Sequence, residues 1–263
     1  MPDERNPADT CPDCLGRGWV VEPDGGAGRA RPCGCRRQDL IPHLVSLSGI
    51  PSRYGRCSLE NFDTTNNEQL LRAKSLCQRY IESFVREDGR FCETGLLLIG
   101  AAGVGKTHLA VAVLSELTRR YAVRGLFADF TSLIHQIQST FDPSSGESKH
   151  EILDPIMEAD LLVLDELGAQ KPTAWVSDVL YLIMNGRYTR RLPTLFTTNY
   201  RLDAPDAGPE DGELDKMPSV ARRESLTQRI PGRLVSRLYE MTQPIEIHAG
   251  DFRREVKMAQ HQI

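Results

Sequence analysis

The octapeptide Gly100-Ala101-Ala102-Gly103-Val104-Gly105-Lys106-Thr107 lies between an apolar run, Leu96-Leu97-Leu98-Ile99, and a helix-like run that begins His108-Leu109-Ala110. No other feature constrains the chain so tightly, because strand, glycine loop and helix meet at the spacing G-x-x-x-x-G-K-[ST]. The glycines let the backbone fold back so that several N–H groups converge on one phosphate. The helix N-terminus adds partial positive charge. Lys106 has the reach for the β- and γ-phosphates, and Thr107 can set its hydroxyl on Mg²⁺. The stretch therefore predicts a nucleoside triphosphate site built from Gly100, Ala101, Ala102, Gly103, Val104, Gly105, Lys106, Thr107 and His108. The alternative is a glycine-rich turn without a ligand, and the flanking strand and helix argue against it.

The surrounding pattern predicts an α/β fold. Short apolar strand candidates, Leu96–Ile99, Gly125–Asp129, Leu161–Asp165 and Thr194–Thr198, alternate with helical segments, and a further short strand candidate covers Pro244–His248. That alternation implies a parallel sheet with helices on both faces. Helical spacing of Leu70, Leu71, Leu76, Tyr80, Ile81 and Phe84 runs through 68–86, and a second helical stretch with basic residues covers 224–240. The polar stretch 204–223, with Pro, Gly and Asp, reads as a loop. At 263 residues and net charge −4, the chain can hold one sizeable domain plus an appendage and is not basic as a whole, so any nucleic-acid contact must be a local patch. The N-terminal residues lack the apolar core of a signal peptide, and no apolar run approaches the ~20 residues of a membrane helix. A cytoplasmic location is expected.

Cysteines divide the chain. Four of the seven lie in the first forty residues, a segment too poor in apolar residues to build its own core. Cys11-Pro12-Asp13-Cys14 and Cys33-Gly34-Cys35 form two close pairs a hairpin's length apart. Together they can offer four thiolates to tetrahedral Zn²⁺. Redox or incidental cysteines are the alternative, and His43 is a possible substitute ligand. Cys57, Cys77 and Cys92 stand alone and read as structural thiols. The expected organisation is a zinc-binding module over 1–45, a linker over 46–66 and the ATPase domain over 67–263.

Three further features carry chemistry. Leu161-Leu162-Val163-Leu164-Asp165-Glu166 has the continuous apolar run of a buried parallel strand and delivers two carboxylates at its carboxyl end, where ligands bind in such sheets. Asp165 suits Mg²⁺ and Glu166 suits activation of an attacking water. Pro193-Thr194-Leu195-Phe196-Thr197-Thr198-Asn199 is a strand ending in polar residues. Its Asn199 either holds the γ-phosphate or lytic water, or caps a turn. In Arg233-Leu234-Val235-Ser236-Arg237-Leu238 the two arginines share a helix face, as solvated residues or as a finger into a neighbour's site.

In this order and spacing the motifs resemble Walker A, Walker B, sensor 1 and the arginine finger of the AAA+ ATPases. No N-K-x-D guanine-reading motif follows the second strand. Within AAA+ the chain is similar to the DnaC/DnaI/IstB branch, through Ile50-Pro51-Ser52-Arg53-Tyr54 up to Phe62, residues 100–114 and 160–168, and Asn185-Gly186-Arg187-Tyr188 on to Asn199. The resemblance implies a five-stranded parallel sheet with a small C-terminal lid and hydrolysis of ATP with Mg²⁺. It assigns Lys106 and the loop glycines to the phosphates, Asp165 and Thr107 to the metal, Glu166 as catalytic base and Asn199 as sensor 1. Arg237 becomes a finger acting in trans, and Arg253 or the adjacent Arg254 the nucleotide-sensing arginine of the lid.

The same resemblance implies ATP-dependent homo-oligomers and two kinds of client. One is a DnaB-type replicative helicase, gripped through the cysteine module and loaded on single-stranded DNA. The other is duplex DNA coated by a transposition helper with its transposase. An AAA+ adaptor without a DNA role is a third possibility. Single-stranded DNA contact, expected to be weak and strengthened by ATP, is implied for 130–149, with Phe130, His135, Phe141, Lys149 and the adjoining His150. Basic clusters at Arg187/Arg190/Arg191, Arg222/Arg223 and Arg29/Arg31/Arg36/Arg37 could face DNA, a partner subunit or water.

Overall fold

The computed structural model describes residues 40–86, 89–141, 148–170, 173–202 and 225–252, with backbone also at 19–22, 29–32 and 34–39. Strands β1 (Trp19–Glu22) and β2 (Arg29–Pro32) pair as an antiparallel hairpin, with Trp19 opposite Pro32. Helix α1 (Gly34–Leu47) follows. Cys11, Cys14 and Cys33 lie outside the described residues. Cys35 is on the first turn of α1, and its side chain is not described.

The main sheet has five parallel strands: β3 (Gly95–Gly100), β4 (Gly125–Asp129), β5 (Leu161–Asp165), β6 (Thr194–Thr198) and β7 (Thr242–Ile247). Their spatial order is β4-β5-β6-β3-β7. Helices α2 (Glu68–Glu82), α3 (Lys106–Tyr121), α4 (Phe130–Ser139), α5 (Lys149–Glu158), α6 (Ala174–Thr189) and α7 (Gly232–Met241) cover it. Successive strand residues point to opposite faces. Leu97, Ile99, Leu162, Leu164 and Phe196 therefore pack with α4–α7, while Leu96, Leu98, Leu161, Val163 and Leu195 pack with α2 and α3. The continuous apolar runs seen in the sequence thus line a sheet buried on both sides.

Several expectations need correction. The stretch 46–66 is not free of the ATPase domain. Phe62 is buried in the α2–α3 core, with Ile50, Tyr54, Cys57 and Leu59 packed against it, and the Phe127 N–H donates to the Ser48 carbonyl at 2.7 Å. The first helix of this domain ends at Glu82, where Ser83 caps it and Val85 bridges back to Phe91. The helix expected over 224–240 starts at Gly232. Before it, Ser225 bridges to Arg201 in parallel, a 3-10 turn covers Leu226–Gln228 inside a capping box, and Pro231, which cannot donate to a preceding turn, sets the boundary.

Arg187 is the largest correction. It is fully buried and donates four hydrogen bonds: to the Ile156 and Ala159 carbonyls at 2.8 and 2.9 Å, to the Pro193 carbonyl at 2.7 Å and to Thr194 Oγ1 at 2.9 Å. It therefore faces neither DNA nor water. It satisfies carbonyls at the C-terminal end of α5, which a helix leaves without internal donors. Arg190 and Arg191 beside it are exposed, and Arg191 approaches Glu93 at 3.4 Å. Cys77 is buried and its thiol is pushed up to about 12 by loss of solvent, in keeping with a structural thiol. The loop at 204–223, Arg222 and Arg223 among it, lies outside the described residues, as do Arg253 and Arg254. Among the described residues no helix is long and apolar enough to cross a membrane.

Candidate functional site

The carboxyl ends of β3, β5 and β6 lie together where the order of successive strands reverses, the place at which open α/β sheets bind ligands. The β3–α3 loop makes the first wall. Gly103 and Gly105 have φ of 81° and 94°, which L side chains rarely adopt. A Cβ on Gly105 would lie 2.6 Å from Phe62 Cε2, and one on Gly103 would collide with the Asp251 carboxylate. The glycine spacing read from the sequence thus serves two close approaches, one from each flank of the nucleotide motif. Helix α3 begins at Lys106 and aims its N-terminus into the cleft.

Lys106 is mostly buried, and its ammonium donates to the Ala101 carbonyl at 2.8 Å and to Asn199 Oδ1 at 2.7 Å. The Thr107 hydroxyl lies 3.0 and 3.1 Å from the two Asp165 oxygens. Thr197 donates to Asp165 Oδ1 at 2.6 Å and accepts from the Glu166 N–H at 3.0 Å. One hydroxyl therefore fixes both consecutive acids. Glu166 stands at φ 59°, off the strand's extended path, so its side chain leaves the sheet at a different angle from that of Asp165.

Burial raises Asp165 above the usual aspartate range, and neighbouring Asp129 adds to the rise. The hydrogen bonds from Thr197 and Thr107, and the charge of Lys106, oppose it. Glu166 is also raised, by desolvation first and then by repulsion from Asp165 and Asp129, with Lys106 and Arg53 pulling the other way. Asp129 sits opposite Asp165 in the β4–β5 register. His108 is held by a contact of 2.9 Å between its Nε2 and the Ser58 carbonyl and by the Phe62 ring edge, and burial lowers it. It pins the 50–62 stretch onto α3. The cleft between these walls has a volume of about 530 Å³, within the size range of small-molecule sites.

The structure brings together Lys106, Thr107, His108, Asp165, Glu166 and Asn199 at this cleft. Arg237 lies apart, on α7, against Asn185 and the ring of Tyr188 on α6. Among the described residues no group of three or more His, Cys, Asp or Glu could hold a metal ion. A hydroxyl beside a carboxylate, as at Thr107 and Asp165, supplies the hard oxygen donors that Mg²⁺ takes when phosphates complete its shell. The motif reading missed Thr197, Asp129, Asp251 and the cover formed by Arg53, Tyr54 and Phe62. Thr197 had a signal in its position two residues before Asn199. The others had none, because their places depend on packing between elements distant in sequence.

Residues 40–216, more than half of the chain, match the family described as IstB-like ATP binding protein. The replicative helicase loader DnaC of Escherichia coli K12 is 30% identical over 163 residues, covering 62% of this chain and 63% of that protein. The replicative helicase loader DnaI of Bacillus subtilis is 27% identical over 161 residues, covering 61% of this chain and 47% of that protein. The chain thus spans less than two thirds of the length of these relatives. The crystal structure of the DnaC helicase loader superposes with a TM-score of 0.59 at 27% identity, covering 75% of this chain and all of that one. AMPPCP-bound DnaA from Aquifex aeolicus, 17% identical with a TM-score of 0.54, shares the fold over 79% of this chain and 56% of that one. With the phosphate loop, the strand-end acids and the sheet order in place, the chain belongs to the IstB-like ATP-binding family, is homologous to the DnaC and DnaI helicase loaders, and has an AAA+ fold.

Proposed function

We propose that the chain is an ATP-hydrolysing helicase loader of the DnaC and DnaI kind, which binds a DnaB-type replicative helicase in the cytoplasm and helps place it on single-stranded DNA. The observation that carries this reading is the continuous polar chain from Asn199 through Lys106, and from Thr107 through Asp165 to Thr197, in a protein homologous to two replicative helicase loaders.

In this reading the loop from Gly100 to Gly105 cradles the phosphates with backbone N–H groups, and Lys106 faces the β- and γ-phosphates. Thr107 and Asp165 hold Mg²⁺, which supplies charge neutralisation on the phosphate oxygens. Glu166 accepts the proton of the attacking water. Asn199 holds the Lys106 ammonium and orients the γ-phosphate side of the cleft. Arg237 of one subunit completes the site of the next, so assembly depends on nucleotide. Lysine placement, proton acceptance and water exclusion by the Arg53–Phe62 cover are then this chain's own contributions.

Contact with single-stranded DNA is supported by the exposed Phe141, with the Lys149 ammonium 4.0 Å over its ring and Trp175 edge-on at 5.7 Å. Aromatic rings with adjacent cations are the stacking platforms that such binding uses. For the N-terminal module, the reading rests on the spacing of Cys11, Cys14, Cys33 and Cys35 in the sequence, either side of the β1–β2 hairpin. One zinc per chain by elemental analysis, lost on Cys11→Ser, is the expected result, and a metal-free chain would remove the module from the reading.

The family match favours a second reading, a transposition helper that assembles on duplex DNA. Size-exclusion chromatography with light scattering, mixing the chain with its host's replicative helicase under ATP, separates the two. A stable complex is expected. No complex, with ATP-dependent coating of added duplex, would replace the loader reading with the helper.

A further inference from the structure

Arg237 is not a loose surface arginine. Its Nη1 donates to Asn185 Oδ1, and its guanidinium carbon lies 4.7 Å from the centre of the Tyr188 ring and 6.0 Å from that of Tyr181. Tyr181, Asn185 and Tyr188 are spaced four and three apart on α6 and therefore share one face. Arg233, one turn before Arg237 on α7, lies 4.8 Å over Tyr181. Tyr181 and Tyr188 are 38% and 42% exposed, so the arrangement is at the surface, away from the chain's own cleft. Leu238 and Leu234 on the opposite side of α7 are buried in the core, which fixes the helix beneath the arginines.

We infer that Asn185 and Tyr188 are positioning residues for Arg237, holding its guanidinium in one pose for delivery to the nucleotide of a neighbouring copy. The inference rests on the trans-finger reading given above. A free arginine keeps many rotamers and must give them up when it meets a phosphate, whereas a planar guanidinium already bonded on one edge and stacked on a ring has given up most of them. The bond to Asn185 uses one of five N–H donors, so the fork remains a bidentate phosphate ligand in kind. Asparagine is a neutral acceptor here. A carboxylate would offset the charge that the finger must present, and the uncharged amide orients it without doing so. Tyr188 adds a face rather than a donor, which fixes the plane of the guanidinium. Neither residue touches the cleft of its own subunit, so each acts only through Arg237.

The test is a mixing experiment with full-length chains. Subunits carrying Glu166→Gln keep a finger but lack the proposed base, and subunits carrying Arg237→Ala keep a base but lack the finger. Each is inactive alone and the mixture hydrolyses ATP if the finger acts in trans. Adding Asn185→Ala to the Glu166→Gln donor is expected to lower the restored kcat about tenfold, the scale of one hydrogen bond to a charged group, with KM for ATP unchanged. Tyr188→Phe in the donor, which keeps the ring face, is expected to restore activity fully, and Tyr188→Ala is expected to fall as Asn185→Ala does. Melting temperatures of the donors within a few degrees of one another show that folding is not the cause. Equal restoration by donors with and without Asn185→Ala would overturn the positioning role and leave the trans finger standing. No restoration by the simple Glu166→Gln donor would overturn the trans finger and this inference with it.

Discussion

Replacing Arg187 by Met keeps an unbranched apolar stem and most of the volume of the side chain, ends short of the guanidinium, and removes every donor. The Ile156 and Ala159 carbonyls and Thr194 Oγ1 then lose the buried guanidinium that satisfies them, while the Pro193 carbonyl keeps a longer bond of 3.4 Å from the Leu162 N–H. Each unpaired buried acceptor costs about 1–3 kcal/mol, so three cost about 3–9 kcal/mol. Against this, the variant no longer buries a cation. That burial is costly enough to push the guanidinium down to about 9, still charged at neutral pH. Replacing a buried ion pair by apolar groups returns about 1–4 kcal/mol in other proteins, and the middle of that range is taken for this single guanidinium. A net loss of about 3 kcal/mol follows, a large part of the ~5–15 kcal/mol that holds a typical protein folded. For a chain of this size it corresponds to a fall in Tm of roughly 6–12 °C. Thermal unfolding followed by circular dichroism measures it, with single-stranded DNA affinity recorded alongside at several salt concentrations. A Tm within 2 °C of the parent, or a drop in DNA affinity with stability intact, would refute the clamp and return Arg187 to the basic surface cluster that the sequence suggested.

Three further outcomes are expected. Glu166→Gln should bind ATP with near-parental affinity and hydrolyse it about 10²–10⁴ times more slowly, the range for loss of a general base; because Glu166 is raised above 4.5 in the parent, the acidic limb of the parental kcat profile should lie above that value. Thr197→Val removes the hydroxyl that donates to Asp165 and accepts from the Glu166 N–H, so it should raise the Mg²⁺ concentration needed for half-maximal ATPase activity and lower Mg²⁺-free stability by about 1–3 kcal/mol, read as a fall in Tm. Asp165 is raised in the folded chain, so it holds its proton more tightly there than when unfolded, and its ionisation lowers stability as pH rises through the range just above 3.8. Asp165→Asn should therefore gain Tm relative to the parent as pH rises through that window and level off above it; a gain that is the same at every pH would contradict the assignment.

The phosphate loop, the two acids at the end of β5 and the strand alternation were legible in the sequence because each depends on local geometry. Glycine alone permits φ of 81° and 94° at Gly103 and Gly105, and a strand buried on both faces must be apolar without alternation. Strand limits for β4, β5 and β6 were likewise set by runs of a few residues. What the sequence could not decide was which side chains face one another across elements far apart in the chain. Arg187 looked like a member of an arginine cluster with Arg190 and Arg191, since three basic residues within five positions read as a surface patch. Its direction was settled by the carbonyls at the α5 terminus and the groups at the start of β6, which come within reach of one α6 side chain only in the folded domain. Residues 46–66 read as a linker by composition, yet Phe62 fills the space left open by Gly105, a pairing that exists only once α3 has docked on the sheet. Thr197 became the common partner of Asp165 and Glu166 because β5 and β6 are neighbours, and Asn185 came to hold Arg237 because α6 and α7 cross there. Sequence by itself determined the chemistry that a short stretch of backbone can impose, and the tertiary structure decided every role that requires two distant stretches to meet.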